Sequence, residues 1–201
     1  MKITNKNGLR EYGEENNCLN IVLSKLFPNN IFLHNKNLTI DKQVLRTKVG
    51  TIIKPDYVCH ELKMIVEFDG DNILRRGHFS DVSINIMDKL KDDVYHEIGY
   101  KIIRIPPYVQ LDSEMIKYYF DIDYLDDLYD TCHDHGFLHK DILLPGNFTI
   151  MAHERFTNDL TSFPDNVVLK INITLAYREF LLTEKGFGKE EAHLIVYGQR
   201  N

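Results

Sequence analysis

The sequence has no long apolar run, and this absence excludes membrane-spanning helices. None of its apolar stretches approaches the ~18 residues that such a helix needs. Residues 1–5 lack the apolar core of a secretory signal peptide. Cysteine is also scarce: the three cysteines, an odd number, lack the spacing of a disulfide framework. We therefore expect a cytoplasmic protein with no membrane partner.

The fingerprints of several common enzyme classes are missing too. No Gly-rich phosphate loop, dinucleotide-binding fingerprint or nucleophile elbow occurs. The net charge of −6 argues against a protein that coats nucleic acid non-specifically, since such proteins are usually basic. An enzyme that acts on nucleic acid is still allowed, because it needs only a local basic rim and its metal-binding carboxylates contribute negative charge.

The hydrophobic pattern predicts an α/β core. Apolar residues at helical spacing predict an amphipathic helix over residues 11–27. Two strand-like runs, residues 52–59 and 63–68, are separated by a tight connection and predict a hairpin. A helix from about residue 80 and a strand over residues 100–105 follow. A hairpin, a helix and a strand in this order predict a mixed sheet with a crossover helix.

The predicted crossover helix has an apolar stripe at helical spacing. Its members are Ile86, Leu90, Val94 and Ile98. Gly99 stands where a helix C-terminal glycine is expected.

The second half of the chain has a weaker pattern. Residues 112–134 predict an acidic helical segment that carries few lysines. Residues 136–158 are predicted to be irregular. Two further helices are predicted over residues 163–185 and 189–197, with a Gly-Phe-Gly stretch between them. The alternative for residues 167–175 is a strand, because their apolar residues also alternate.

Carboxylates converge at one end of the predicted hairpin. With an even turn centred between positions 61 and 62, Asp56 faces Glu67 on one side of the sheet. Asp69 lies two residues beyond Glu67 and shares this face, opposite Lys54. Opposed like charges destabilise a sheet, so a divalent cation between them is the simplest explanation. We predict an Mg²⁺ or Mn²⁺ site at Asp56, Glu67 and Asp69. The alternative is that these acids lie at strand ends and are solvated.

Four segments resemble a known nuclease superfamily. They are residues 54–58 (KPDYV), 65–71 (IVEFDGD), 88–92 (DKLKD) and 97–106 (EIGYKIIRIP). Their order and spacing are similar to those of PD-(D/E)xK nucleases, and most similar to the DUF559-like group related to very-short-patch-repair endonucleases. The resemblance covers roughly residues 11–120. It implies a restriction-endonuclease-like core.

The resemblance implies roles for individual positions. Asp56 and Glu67 match metal ligands, whereas Asp69 stands where the superfamily has its signature lysine. The DUF559-like group itself often has E-x-D-G at this place. The departure leaves open which residue, if any, is the cationic partner of the attacking water. The candidates are Lys54, Lys89 and Lys91. The superfamily also places an acid on the first helix, where Glu15 fits better than Glu14 because it lies over the core face.

Several basic residues are candidates for contact with nucleic acid. They are Arg75, Arg76, His78, Lys91 and Arg104. Arginine and histidine side chains suit phosphate contacts. The alternative for residues 75–78 is an exposed basic loop. The alternative for Arg104 is a structural ion pair with Asp88 or Asp92.

The sequence as a whole favours a metal-dependent endonuclease that hydrolyses phosphodiester bonds in DNA. We expect a nuclease core over residues 1–135 and a mostly helical appendage over residues 136–201. One alternative is a catalytically silent DNA-binding module on the same fold. The other is a protein-interaction role, in which the acidic segment 112–134 and the C-terminal helices form the docking surface for a protein partner or a second copy of the chain.

Overall fold

The computed structural model describes residues 14–70, 77–123, 128 and 148–197. In chain order, its elements are α1 (Glu14–Leu26), β1 (Leu33–His34), β2 (Thr39–Ile40), β3 (Gln43–Val44), β4 (Tyr57–Cys59), β5 (Met64–Phe68), α2 (Val82–Glu97), β6 (Lys101–Ile105), α3 (Ser113–Phe120), α4 (Ile150–Ser162), α5 (Asp165–Glu184) and α6 (Lys189–Tyr197). No helix within these ranges is long and apolar enough to cross a membrane.

The described strands form a mixed four-stranded sheet and a two-stranded ribbon of β2 and β3. The larger sheet has the order β1-β4-β5-β6. β4 is antiparallel to β1 and to β5, whereas β5 and β6 are parallel and connected through α2. A parallel pair needs such a crossover, because the chain must return to the same end of the sheet. The predicted mixed α/β sheet with a crossover helix is confirmed.

The β4–β5 hairpin has the predicted register. Tyr57 pairs with Val66, so the next residues outward, Asp56 and Glu67, meet at the open end of the hairpin. The first strand is shorter than predicted, since β4 begins only at Tyr57. Pro55 precedes it, and proline has no N–H to donate to a strand ladder.

α2 presents a different face to the sheet than the predicted apolar stripe. Ile86, the first member of that stripe, is 49% exposed. The buried residues of α2 are Asn85, Asp88, Val94 and Tyr95. The predicted stripe is therefore exposed at Ile86 and buried at Val94. The middle of α2 lies over charged side chains of β5 and β6, where Asp88, Lys91 and Asp92 make the contacts.

The region predicted to be irregular contains the start of α4. The hydroxyl of Thr149 caps this helix by accepting a hydrogen bond from the N–H of Ala152 at 3.1 Å. Ala152 and Phe156 are buried. That part of the prediction was wrong, because a helix begins where no helix was expected. The two helices predicted after it are confirmed as α5 and α6.

One hydrophobic cluster joins the sheet to the helices beyond residue 148. Its buried members include Leu23, Val66, Ile103, Met115, Phe156, Ile171 and Val196. α3 accounts for the first part of the acidic segment 112–134 and ends at Asp121, which has a left-handed backbone (φ 56°). The predicted boundary near Gly136 and most of the acidic segment lie outside the described residues.

Candidate active site

Asp56 and Glu67, called here the carboxylate pair, meet at the open end of the β4–β5 hairpin. The backbone N–H of Asp56 donates to Oε2 of Glu67 at 3.1 Å. The backbone N–H of Phe68 donates to Oδ2 of Asp56 at 2.8 Å. Each carboxylate is therefore held by a backbone donor from the opposite side of the hairpin. The two acids meet as the strand register predicted.

α2 supplies a hydrogen-bond donor and a cation to one of these carboxylates. The hydroxyl of Tyr95 donates to Oε1 of Glu67 at 2.7 Å. Nζ of Lys91, one helical turn earlier, lies 4.0 Å from the same oxygen. The Lys91 side chain is 22% exposed, so it lies beside the buried Glu67 and still contacts solvent.

Lys91 is the lysine that the geometry favours among the three that the sequence left open. Lys54 precedes β4 and is exposed, and its predicted position opposite Asp69 lies outside the strand. Lys89 is exposed on α2. Two residues span about 200° of a helix, so Lys89 and Lys91 cannot both face the sheet.

Burial raises the pKa of both members of the carboxylate pair. For Glu67, desolvation outweighs the lowering effects of Lys91 and Arg104. For Asp56, desolvation outweighs the hydrogen bond from Phe68 and raises the pKa. Nearby positive charge favours the ionised form of such acids. Their oxygens are also the ligands that Mg²⁺ and Mn²⁺ prefer, so the donor set fits a hard divalent cation.

Asp69 belongs to a separate ion-pair network. Nη1 of Arg104 lies 2.6 Å from its Oδ1, and Nη1 of Arg155 lies 2.7 Å from its Oδ2. Burial raises the pKa of Asp69, but the two guanidinium groups and His78 outweigh this effect and lower the pKa overall. A guanidinium group therefore lies beside each carboxylate oxygen of Asp69. The sequence grouped Asp69 with the carboxylate pair, but its surroundings differ from theirs in this respect.

Arg104 is engaged inside the molecule. Its Nε and Nη2 donate to Asp92 at 3.1 Å and 2.7 Å, and its Nη2 lies 3.8 Å from Asp88. Only 12% of the side chain is exposed. Of the two interpretations that the sequence left open for Arg104, the structure has the ion pair. Little of its guanidinium surface remains for a nucleic-acid backbone.

His78 lies between two aspartates. Its Nδ1 is 2.7 Å from Oδ2 of Asp88 and 3.4 Å from Oδ1 of Asp69. Burial lowers the pKa of His78, but the hydrogen bond with Asp88 and the charge of Asp69 raise it overall.

The same three residues form a second group that could hold a metal ion. Asp69, His78 and Asp88 place ligand atoms within 4.8 Å of one another. The Arg104 guanidinium lies within 3.8 Å of both aspartates, so positive charge already occupies this group. The cation beside the carboxylate pair, Lys91, lies farther off, at 4.0 Å from Glu67, so a divalent ion is repelled less there and the pair is the better candidate for a metal centre.

Comparisons of this chain with known proteins found no relative. No protein-family model matches the sequence, and no match is found among curated proteins or solved structures.

Sequence reasoning missed Arg155, which lies in the region predicted to be irregular. Its guanidinium carbon is 5.1 Å from the centroid of the Phe79 ring, a cation–π contact that adds to its ion pair with Asp69. Apolar residues four positions apart, from Ala152 to Leu160, could have predicted the helix. Nothing in the sequence indicates which carboxylate Arg155 meets.

Three predicted site residues cannot be placed. Arg75 and Arg76 lie in residues 71–76, outside the described ranges. The backbone of Glu15 belongs to α1, but its side chain is not described. Their roles in nucleic-acid contact and metal binding stay predictions.

Proposed function

We propose that this protein is a divalent-metal-dependent endonuclease that hydrolyses phosphodiester bonds in DNA, on a restriction-endonuclease-like core. The observation that supports this most is the meeting of Asp56, Glu67 and Lys91: two acids interlocked across the hairpin, with a lysine 4.0 Å from Glu67. The hairpin, the crossover helix and the parallel strand occur in the order that the resemblance to PD-(D/E)xK nucleases implies. The same resemblance favours DNA as the substrate.

The carboxylate pair would hold Mg²⁺ or Mn²⁺. When bound, such an ion supplies Lewis acidity toward a phosphate oxygen and lowers the pKa of a water ligand. Tyr95 keeps Glu67 in position through its hydrogen bond. Lys91 puts positive charge beside the pair, where it can orient a water or a phosphate oxygen. Asp69 does not repel the substrate phosphate, because two arginines neutralise it.

Mn²⁺ is expected to stabilise the folded protein by binding to the carboxylate pair. A ligand at a hundred times its Kd that binds only the native state adds about 2.7 kcal/mol to the free energy of unfolding. For a chain of this size, the Tm then rises by about 5–10 °C. Thermal unfolding during an Mn²⁺ titration measures this shift without substrate.

A matched pair of variants locates the ion. Asp56→Asn should lose the Tm shift, whereas Asp41→Asn, which changes an exposed acid in the turn between β2 and β3, should keep it. If Asp56→Asn kept the full Tm shift, the ion would bind at another group of residues, such as Asp69, His78 and Asp88.

Lys91→Ala is expected to slow DNA cleavage about 100-fold or more. A charged or proton-transferring side chain that is positioned at the reacting group typically raises the reaction rate by about 10²–10⁴-fold. Single-turnover cleavage of supercoiled plasmid with Mg²⁺ or Mn²⁺ measures the rate. Lys89→Ala is the control, because it removes an exposed lysine from the same helix. Lys91→Arg should retain part of the rate by keeping the charge. Equal rates in Lys91→Ala and Lys89→Ala would contradict the role of Lys91.

The second candidate function is a catalytically silent DNA-binding module on the same fold. The observation in its favour concerns Asp69, which stands where PD-(D/E)xK nucleases have their signature lysine. The two oxygens of Asp69 are held by Arg104 and Arg155 in an ion-pair network. Duplex, mismatched, branched and single-stranded DNA distinguish the two functions. Binding to any of them without cleavage in Mg²⁺ or Mn²⁺, and without an Mn²⁺-induced Tm shift, would favour the silent module.

A further inference from the structure

α5 has an apolar face that no described part of the chain covers. Its inner face buries Val167, Ile171 and Leu175 in the main core. Its outer face carries five large hydrophobic side chains that are 39% to 61% exposed. They are Leu169, Ile173, Tyr177, Phe180 and Leu181. A helix that is apolar on two opposite faces is typical of one packed on both sides.

The five side chains form a continuous surface. Leu169, Ile173, Tyr177 and Leu181 are four residues apart and make one ridge along the helix. Phe180 lies beside the ridge, with its ring centroid 6.5 Å from that of Tyr177 and the two rings nearly parallel. Contiguous apolar patches of this kind on soluble proteins mark interaction sites.

The ridge is complementary to itself. Its midpoint, residue 175, is also the middle of α5. A two-fold axis across the ridge at the level of this residue would place Ile173 of one copy against Tyr177 of the other, and Leu169 against Leu181. Identical ridges of this spacing pack into each other's grooves, which is the commonest mode of helix packing. An isologous contact of this kind is the usual basis of a homodimer.

Two of the charged residues beside the ridge have partners within the chain. Nζ of Lys170 lies 2.8 Å from Oδ2 of Asp112, and Oε1 of Glu179 lies 3.3 Å from Nδ1 of His193. A second copy could therefore cover the face without leaving these charges unpaired. This matters because an unpaired buried charge would offset the gain from apolar burial.

The area also suits a second copy. Large side chains bury on the order of 200 Å² each when fully covered, so five half-exposed ones offer roughly 500 Å² per copy. Two copies would then bury about 1,000 Å² of apolar surface, and the flanking polar residues bring the total into the ~1,200–2,000 Å² range of stable interfaces.

We propose that this protein is a homodimer in which α5 packs antiparallel against α5 of a second copy. Of the docking surfaces that the sequence suggested, this interface uses a C-terminal helix and not the acidic segment 112–134. It is independent of the proposed nuclease function, because it involves none of the residues of the carboxylate pair or its ion-pair neighbours.

Sedimentation velocity of the full chain tests the proposal. Protein concentrations of about 1 to 100 µM cover roughly the range of ordinary dimer affinities. We expect a monomer–dimer equilibrium in the wild-type protein. Ile173→Glu and Phe180→Glu should each weaken the dimer at least about thirty-fold, the effect of losing an interface hot spot. Ile31→Glu makes the same kind of change at an exposed residue outside α5 and should leave the dimer intact. Circular dichroism checks that each variant folds.

Cross-linking tests the antiparallel orientation. After replacement of the three native cysteines by alanine, Ile173→Cys protein is mixed with Tyr177→Cys protein under oxidising conditions. The mixture should give more covalent dimer than a mixture of Ile173→Cys with Ile31→Cys. A wild-type protein that stays monomeric at 100 µM, a dimer that survives both glutamate substitutions, or equal cross-linking in the two mixtures would overturn the proposal.

Discussion

Replacing Asp56 by Asn, or Glu67 by Gln, is expected to reduce metal-dependent DNA cleavage at least about a thousandfold. A bound divalent ion contributes several kcal/mol of transition-state stabilisation, and about 4 kcal/mol corresponds to three powers of ten in rate. Each substitution removes one of the two carboxylates that interlock at the end of the hairpin. Cleavage of supercoiled plasmid at saturating Mg²⁺, measured as a single-turnover rate, gives the effect.

The same substitutions should not unfold the metal-free protein. Burial raises the pKa of both acids, so the ionised forms are disfavoured in the folded state. Asp56→Asn removes that cost and should change the free energy of unfolding by no more than about 1 kcal/mol. Asp41→Asn, on an exposed turn, should leave both rate and stability unchanged. Cleavage that survives both Asp56→Asn and Glu67→Gln would rule out the carboxylate pair as the active site.

Arg104→Met is expected to lower the free energy of unfolding by about 3–5 kcal/mol, the usual effect of breaking a buried ion pair. The Arg104 guanidinium binds Asp92 and Asp69 and lies 3.8 Å from Asp88. Methionine fills much of the same volume but leaves these carboxylates without their shared cation. Urea denaturation at pH 7 measures the difference.

Arg46→Met is the matched control for Arg104→Met. Arg46 is exposed and its guanidinium donates to the carbonyl of Gly50, so its replacement should cost less than about 1 kcal/mol. If Arg104→Met were as mild as Arg46→Met, the ion-pair network would not be structural. Arg104 would then be available for the nucleic-acid contact that the sequence also allowed.

The sequence by itself determined the hairpin and its register. Side chains alternate across a strand, so an even turn decides which residues oppose each other over the whole hairpin. The meeting of Asp56 and Glu67 followed from this local rule, and the structure has it. The crossover helix and the two last helices were likewise predictable, because helical periodicity and terminators act over short stretches.

Only the tertiary structure decided which side chains surround Asp56, Glu67 and Asp69. The rotation of α2 over the sheet selected Lys91 rather than Lys89, and an apolar pattern that includes Ile86 pointed to a different face. The cations of Asp69 come from β6 and from α4, elements far apart in the chain. Periodicity reports which residues of one element share a face. The partners of that face depend on how the elements pack, which is decided by contacts between distant parts of the chain.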